Sequence, residues 1–94
     1  MSAYTVVYGS VLDRKALKRI PKNILSRIRR AIEGKLALDP RSFGKPLRRS
    51  LSGSWSLRVG DYRVIYRIAG KTVEIYAIEH RSVVYEQLGK GMWH

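Results

Sequence analysis

Arg58 and Arg63 flank the dipeptide Gly60-Asp61 within Trp55-Ser56-Leu57-Arg58-Val59-Gly60-Asp61-Tyr62-Arg63-Val64-Ile65-Tyr66-Arg67-Ile68, where apolar residues alternate on both sides. Alternation of period two marks a half-buried strand, and Gly-X between two such runs reads as a type II′ hairpin. With Gly60 and Asp61 as the loop, Val59 pairs with Tyr62 and Arg58 stands directly across from Arg63. Like charges so placed destabilise a sheet. A chain that keeps them is expected to use them on an anion, because guanidinium is planar, permanently charged and bidentate toward phosphate. The next hairpin is a contrast: a turn at Gly70-Lys71 sets Arg67 across from Glu74, a neutralised pair with a structural role. Arg58 and Arg63 read instead as a phosphate clamp.

The charge balance points the same way. The chain has 19 Lys+Arg against 7 Asp+Glu, a formal net charge of +12 on 94 residues. Such an excess favours a polyanionic partner through counterion release and exceeds what solubility alone asks of a small domain. Cysteine is absent, which rules out a disulfide scaffold and a thiolate metal site and fits a reducing cytoplasm. The two histidines, His80 and His94, with so few carboxylates, do not compose a familiar zinc site, so no metal or other cofactor is expected. Met1-Ser2-Ala3-Tyr4 does not read as a signal peptide, and no stretch approaches a membrane span. The expectation is a soluble, cytoplasmic protein with no membrane partner.

The elements that position the arginines follow from periodicity. Residues 3–8, rich in β-branched and aromatic side chains, predict a first strand. Ser10 is expected to cap a helix beginning near Val11, with Asp13 in its first turn and Leu12, Ala16, Leu17 and Ile20 on one stripe. Pro21 interrupts it, and a second helix is predicted over 22–38, burying Ile24, Ile28, Ala31, Ile32 and Leu36 before Asp39-Pro40 ends it. The outer faces carry Arg14, Lys15, Lys18, Arg19, Lys22, Arg27, Arg29, Arg30 and Lys35, nearly all of one sign. Residues 41–53 read as a loop anchored by Leu47 and Leu51, with Lys45, Arg48 and Arg49 as candidate RNA contacts beside the sheet. Strands are predicted over 54–59, 62–68 and 72–79, and a last helical turn over 82–88. Trp55, Leu57, Val59, Tyr62, Val64, Tyr66 and Ile68 share the face that covers the helices. Ser56, Arg58, Arg63, Ile65 and Arg67 share the other. Residues 1–94 are thus expected to form a single small α+β domain: an N-terminal strand, a helical hairpin, then a three-stranded antiparallel meander, with both helices packed on one sheet face.

Leu-Arg-Val-Gly-Asp-Tyr-Arg-Val-Ile-Tyr-Arg-Ile (57–68), preceded by Gly44-Lys45-Pro46-Leu47 and followed by His80-Arg81-Ser82-Val83-Val84-Tyr85, resembles the RelE/ParE toxin superfamily. The likeness spans nearly the whole chain and leans toward the RelE branch. That resemblance implies a ribosome-dependent, metal-independent endoribonuclease that cuts mRNA in the decoding site. It also implies neutralisation by a cognate antitoxin and contact with operator DNA only through the antitoxin complex. Arg58, Arg63, Arg81 and Tyr85 each match a position where RelE-like enzymes carry an active-site residue.

The chemistry implied is attack of a 2′-oxygen on the adjacent phosphorus. It is helped by removing the 2′ proton, stabilising the anionic transition state and protonating the leaving 5′-oxygen. Arg58 and Arg63 would hold the scissile phosphate. Arg81 would complete the clamp or meet the leaving oxygen, and Tyr85 would stack on a splayed base or move a proton. Ser56 stands where RelE-like enzymes often carry a lysine, and an arginine is a poor base because it stays protonated. The proton acceptors open to this chain are Tyr85, His80 and groups of the ribosomal RNA. Two other functions are compatible with the sequence: a ParE-like DNA gyrase poison, and a non-toxic basic nucleic-acid-binding module.

Overall fold

Alternating apolar residues lay down the middle of the sheet. In the computed structural model, which describes residues 3–47 and 53–82, the strands are β1 (Thr5–Tyr8), β2 (Lys45–Pro46), β3 (Ser54–Val59), β4 (Tyr62–Ala69) and β5 (Thr72–His80). Their order across the sheet is β1-β5-β4-β3-β2. β3, β4 and β5 form the expected antiparallel meander, β1 joins β5 in parallel, and β2 closes the other edge against β3.

The helices cover the face that alternation assigned to the core. Leu57, Val59, Val64, Tyr66, Val73, Ile75 and Ile78 from the strands cluster with Leu12, Ile20, Ile28, Ile32 and Leu36. Tyr66 is wholly buried, and its hydroxyl donates to the Pro40 carbonyl at 2.6 Å. Burial pushes that phenol up to about 12. Gly44 makes the approach possible, since a Cβ there would lie 1.7 Å from Tyr66 Oη.

Three local expectations are corrected. The first helix, α1 (Arg14–Lys18), begins later than the Ser10 cap implied, because the cap is Asp13. Its Oδ1 accepts the N–H groups of Lys15 and Ala16 at 3.0 and 3.2 Å, which a carboxylate in extended backbone does well. Leu12 and Leu17 then stand at the two positions of a hydrophobic staple, both in or against the core. The predicted 22–38 helix divides into α2 (Lys22–Ala31) and a π-helical stretch, Ile32–Leu36. The wider turn buries the successive residues Leu36 and Ala37 together, with Ala37 N–H donating to the Ile32 carbonyl.

The third correction concerns the loop 41–53, which contains structure. Asp39-Pro40 both stops one helix and starts another, α3 (Pro40–Phe43): Asp39 caps Ser42 N–H at 3.3 Å and proline occupies the first turn. The chain then adds β2. Leu51 lies outside the described residues, as do 83–88 of the helical turn expected over 82–88; residues 81 and 82 are helical.

Candidate functional site

The Gly60-Asp61 turn organises the site. Gly60 takes φ +60°, the left-handed region that a tight hairpin needs and glycine adopts freely. Val59 pairs with Tyr62, and Arg58 lies directly across from Arg63. Arg58 is exposed, and its Nε donates to the Gly60 carbonyl at 3.2 Å, which fixes the root of the guanidinium and leaves the two Nη groups at its tip. Arg81, just past β5, is drawn to the same turn. Its backbone N–H donates to the Asp61 carbonyl at 2.7 Å and its Nη1 lies 4.0 Å from Asp61 Oδ1. Both side chains of that ion pair are at least half exposed, so it orients Arg81 more than it holds it. Arg58 and Arg81 thus bond to adjacent residues of one turn, with Arg63 paired beside Arg58.

Arg63 has a second neighbour that the sequence reading did not place. Glu79 stands across from it on β5, giving the row Arg58–Arg63–Glu79. The contrast between a neutralised Arg67 and an unneutralised pair is therefore one of degree. Glu79 is half-buried, its Oε2 is buried without a hydrogen bond, and desolvation, reinforced by the negative charge of Asp13, raises its pKa. The row stays net positive whether Glu79 is ionised or protonated.

The missed neighbour has a structural cause. Counting back from the Gly70 turn without interruption pairs Arg63 with Ile78. The observed ladder shifts by one residue at Ile65/Tyr66, leaving Tyr76 as an extra residue in β5. A one-residue slip exchanges the two faces, so the bulge returns Ile78 to the core and sets Glu79 across from Arg63 in the ladder. The signal available was the spacing of Ile75 and Ile78, which breaks strict alternation.

Further along the same face Arg67 sits across from Glu74, as expected, and its guanidinium lies 5.7 Å from the centre of the Tyr76 ring. The Tyr76 hydroxyl donates to Ser54 Oγ, and Ser54 is fully buried. Ile65, which alternation placed on this open face, is only 1 % exposed. The face is therefore charged at the Gly60 end and closed in its middle.

His80 is placed apart from the guanidinium row. It pairs with Tyr62 on the helix-facing side, with ring centroids 5.3 Å apart in an edge-to-face arrangement. Ser82 N–H donates to His80 Nδ1 at 3.2 Å, so the neutral ring carries its proton on Nε2, and Ser82 Oγ lies 2.9 Å from the same nitrogen. The ring borders a cleft of about 270 Å³ shared with Asp13, Ala16, Arg19, Ile20 and Glu79. Lys45 is exposed on β2, directly across from Ser56. Arg48, Arg49 and Tyr85 lie outside the described residues, as do Trp93 and His94.

One cation was assigned only to a helix exterior and is found at the turn. A methyl group placed on Gly60 would lie 3.7 Å from Arg27 Nη1, so α2 extends a guanidinium to the same corner. Helical spacing shows which way Arg27 faces but not which distant turn it meets.

The family described as the ParE toxin of type II toxin-antitoxin systems, parDE, matches residues 12–85. Toxin RelG of Mycobacterium tuberculosis is 38% identical over 86 residues, which covers 89% of this chain and 98% of that protein. Toxin RelE of the same organism is 42% identical over 71 residues, 73% of each. Among solved structures, the toxin–antitoxin complex RelBE2 from M. tuberculosis matches with a TM-score of 0.77 at 40% identity, covering 84% of this chain and 99% of the other. An archaeal RelE–RelB complex from Pyrococcus horikoshii OT3 matches with a TM-score of 0.62 at 26% identity, covering 84% and 96%.

Proposed function

This chain belongs to the ParE toxin family of type II toxin-antitoxin systems, within the RelE/ParE superfamily, and we propose that it acts as a ribosome-dependent, metal-independent endoribonuclease on translated mRNA. The observation that carries the reading is the guanidinium pair Arg58–Arg63 at a turn to which Arg81 is also bonded. A phosphodiester in that corner receives planar, permanently charged donors where the transition state gains charge. The 2′-oxygen attacks phosphorus as its proton leaves, and the bond from phosphorus to the 5′-oxygen breaks. The products are a 2′,3′-cyclic phosphate and a 5′-hydroxyl that has taken up a proton. Arg58 and Arg63 hold the non-bridging oxygens, and Arg81 faces the leaving oxygen.

The proton route goes through Tyr85 or a group of the ribosomal RNA. His80 is set aside because its Nδ1 already accepts from Ser82 and its ring lies on the helix side of the sheet. A cognate antitoxin neutralises the protein, in line with the complexes formed by its relatives, and operator DNA is met only through that complex. The basic exterior and the proposed substrate favour action on ribosomes in the cytoplasm.

The test is primer extension on mRNA from a translating system, with wild type, Arg63→Ala and Arg81→Ala. Cleavage by wild type and none by either variant is expected. Growth arrest with mRNA intact defeats the proposal. A second reading, poisoning of DNA gyrase, draws on the ParE description of the matching family and on Ser56 in place of a lysine. Gyrase-dependent DNA breaks on induction, with uncut mRNA, favour that one.

A further inference from the structure

Next to the guanidinium pair, the sheet carries the row Lys45–Ser56–Ile65–Ala77. Ser56 precedes Arg58 by two residues on β3 and so shares its face, and a residue directly across from Ser56 shares that face as well. That residue is Lys45. It is exposed, and it makes no ion pair among the described residues. Ile65 and Ala77 bring no charge to the row. Ser56 is short and half-buried, so the lane between the β2 edge and Arg58 carries no bulky side chain.

The dimensions suit a bridge. Directly opposed Cβ atoms are about 5 Å apart and successive rows about 7 Å. A lysine carries its ammonium on a flexible four-carbon stem, long enough to cross such a lane. We propose that Lys45 is a catalytic residue: its ammonium passes over Ser56 and binds a non-bridging oxygen of the scissile phosphate beside Arg58. The assignment rests on the ribonuclease reading above. It makes β2, two residues long, the part of the chain that brings a third donor to the phosphate from a separate strand. A lysine followed by proline also protects an exposed sheet edge against pairing with another chain, and that role alone makes a different prediction. Loss of edge protection changes solubility, whereas loss of a phosphate donor changes the rate of cutting.

Single-turnover cleavage of mRNA on purified translating ribosomes separates these, using wild type, Lys45→Ser, Lys45→Gln and the double variant Lys45→Ser/Ser56→Lys. Removing one donor to a developing oxyanion is expected to slow cutting at saturating ribosome about 100-fold, with the half-saturating concentration little changed. The double variant returns an ammonium to the same row from the neighbouring strand and is expected to recover about tenfold or more of that loss. A wild type that cuts while Lys45→Ser cuts equally fast overturns the assignment and leaves the ribonuclease reading standing. A double variant no faster than Lys45→Ser overturns it too. So does a rate loss in Lys45→Ser that matches loss of folded monomer by sedimentation and melting while Lys45→Gln cuts normally. Wild-type protein that leaves mRNA whole removes the ribonuclease reading and this assignment with it.

Discussion

Arg63 and Arg67 lie on one strand, on one face, four residues apart, and each has a glutamate across from it on β5, but their neighbours on β3 differ in charge. Arg67 has Glu74 across from it and the Tyr76 ring beneath its guanidinium, with buried Ser54 on its other side. Arg63 has another guanidinium on one side and, on the other, a carboxyl whose charge burial disfavours. The first arrangement satisfies a cation within the fold. The second gathers cations at a turn where Arg58, Arg81 and Arg27 also converge. The lesson is that residue type and strand face do not separate a cation satisfied within the fold from one set beside another cation. The sign of the cross-strand neighbours does.

Substitutions along this strand break or sharpen that contrast. Tyr66, between the two arginines and pointing the other way, should give the largest effect on folding. Tyr66→Ala empties a wholly buried site and strands the Pro40 carbonyl, and about 3–5 kcal/mol of stability should be lost in a denaturant titration. Arg63→Ala should do the reverse: mRNA cleavage should fall by about 100-fold or more while the melting midpoint stays level or rises, since the repulsion from Arg58 is relieved. A large drop in its midpoint contradicts the clamp.

Arg67→Ala should cost about 0.5–1 kcal/mol through loss of the Tyr76 and Glu74 contacts and leave the cleavage rate unchanged. A loss of cutting in a folded Arg67→Ala protein would erase the distinction between the two rows. The smallest effect is expected for Glu79→Gln. A carboxyl whose folded pKa is raised favours the fold while protonated, and that contribution fades as pH climbs through the folded value. Wild type and Glu79→Gln should therefore melt alike below the ordinary carboxylate range, with Glu79→Gln becoming the more stable as pH rises toward neutrality. Parallel melting curves at all pH values count against an uncomfortable charge beside Arg63.

Much of this was legible from local rules. The Gly60-Asp61 turn set the register of β3 against β4 and the Gly70-Lys71 turn that of β4 against the start of β5, because a two-residue hairpin leaves no freedom in pairing, and the Arg58–Arg63 and Arg67–Glu74 pairs followed. Tyr66 was assigned to the core from alternation alone. The α1 cap is ambiguous in sequence because Ser10 and Asp13 are both good caps. The choice fell to the one whose backbone is extended and whose carboxylate meets two N–H groups. The loop 41–53 hid β2 because a strand of two residues has no period to read; its existence depends on the edge of β3 being there to pair with. Arg48, Arg49 and Tyr85, called from the loop and from the family resemblance, lie outside the described residues.

The amino-acid order by itself settled what is local: which stretches alternate, where the hairpin turns, and that two guanidinium groups must face each other across it. Only the folded sheet decided what stands beside them. A bulge at Tyr76 set Glu79 across from Arg63, an edge strand set Lys45 across from Ser56, and helix packing delivered Arg27 to the turn. The reason is physical. A tight turn fixes its own pairing through backbone geometry, but a one-residue slip farther along a strand exchanges both faces, and burial of Ile75 and Ile78 together selects the slipped register.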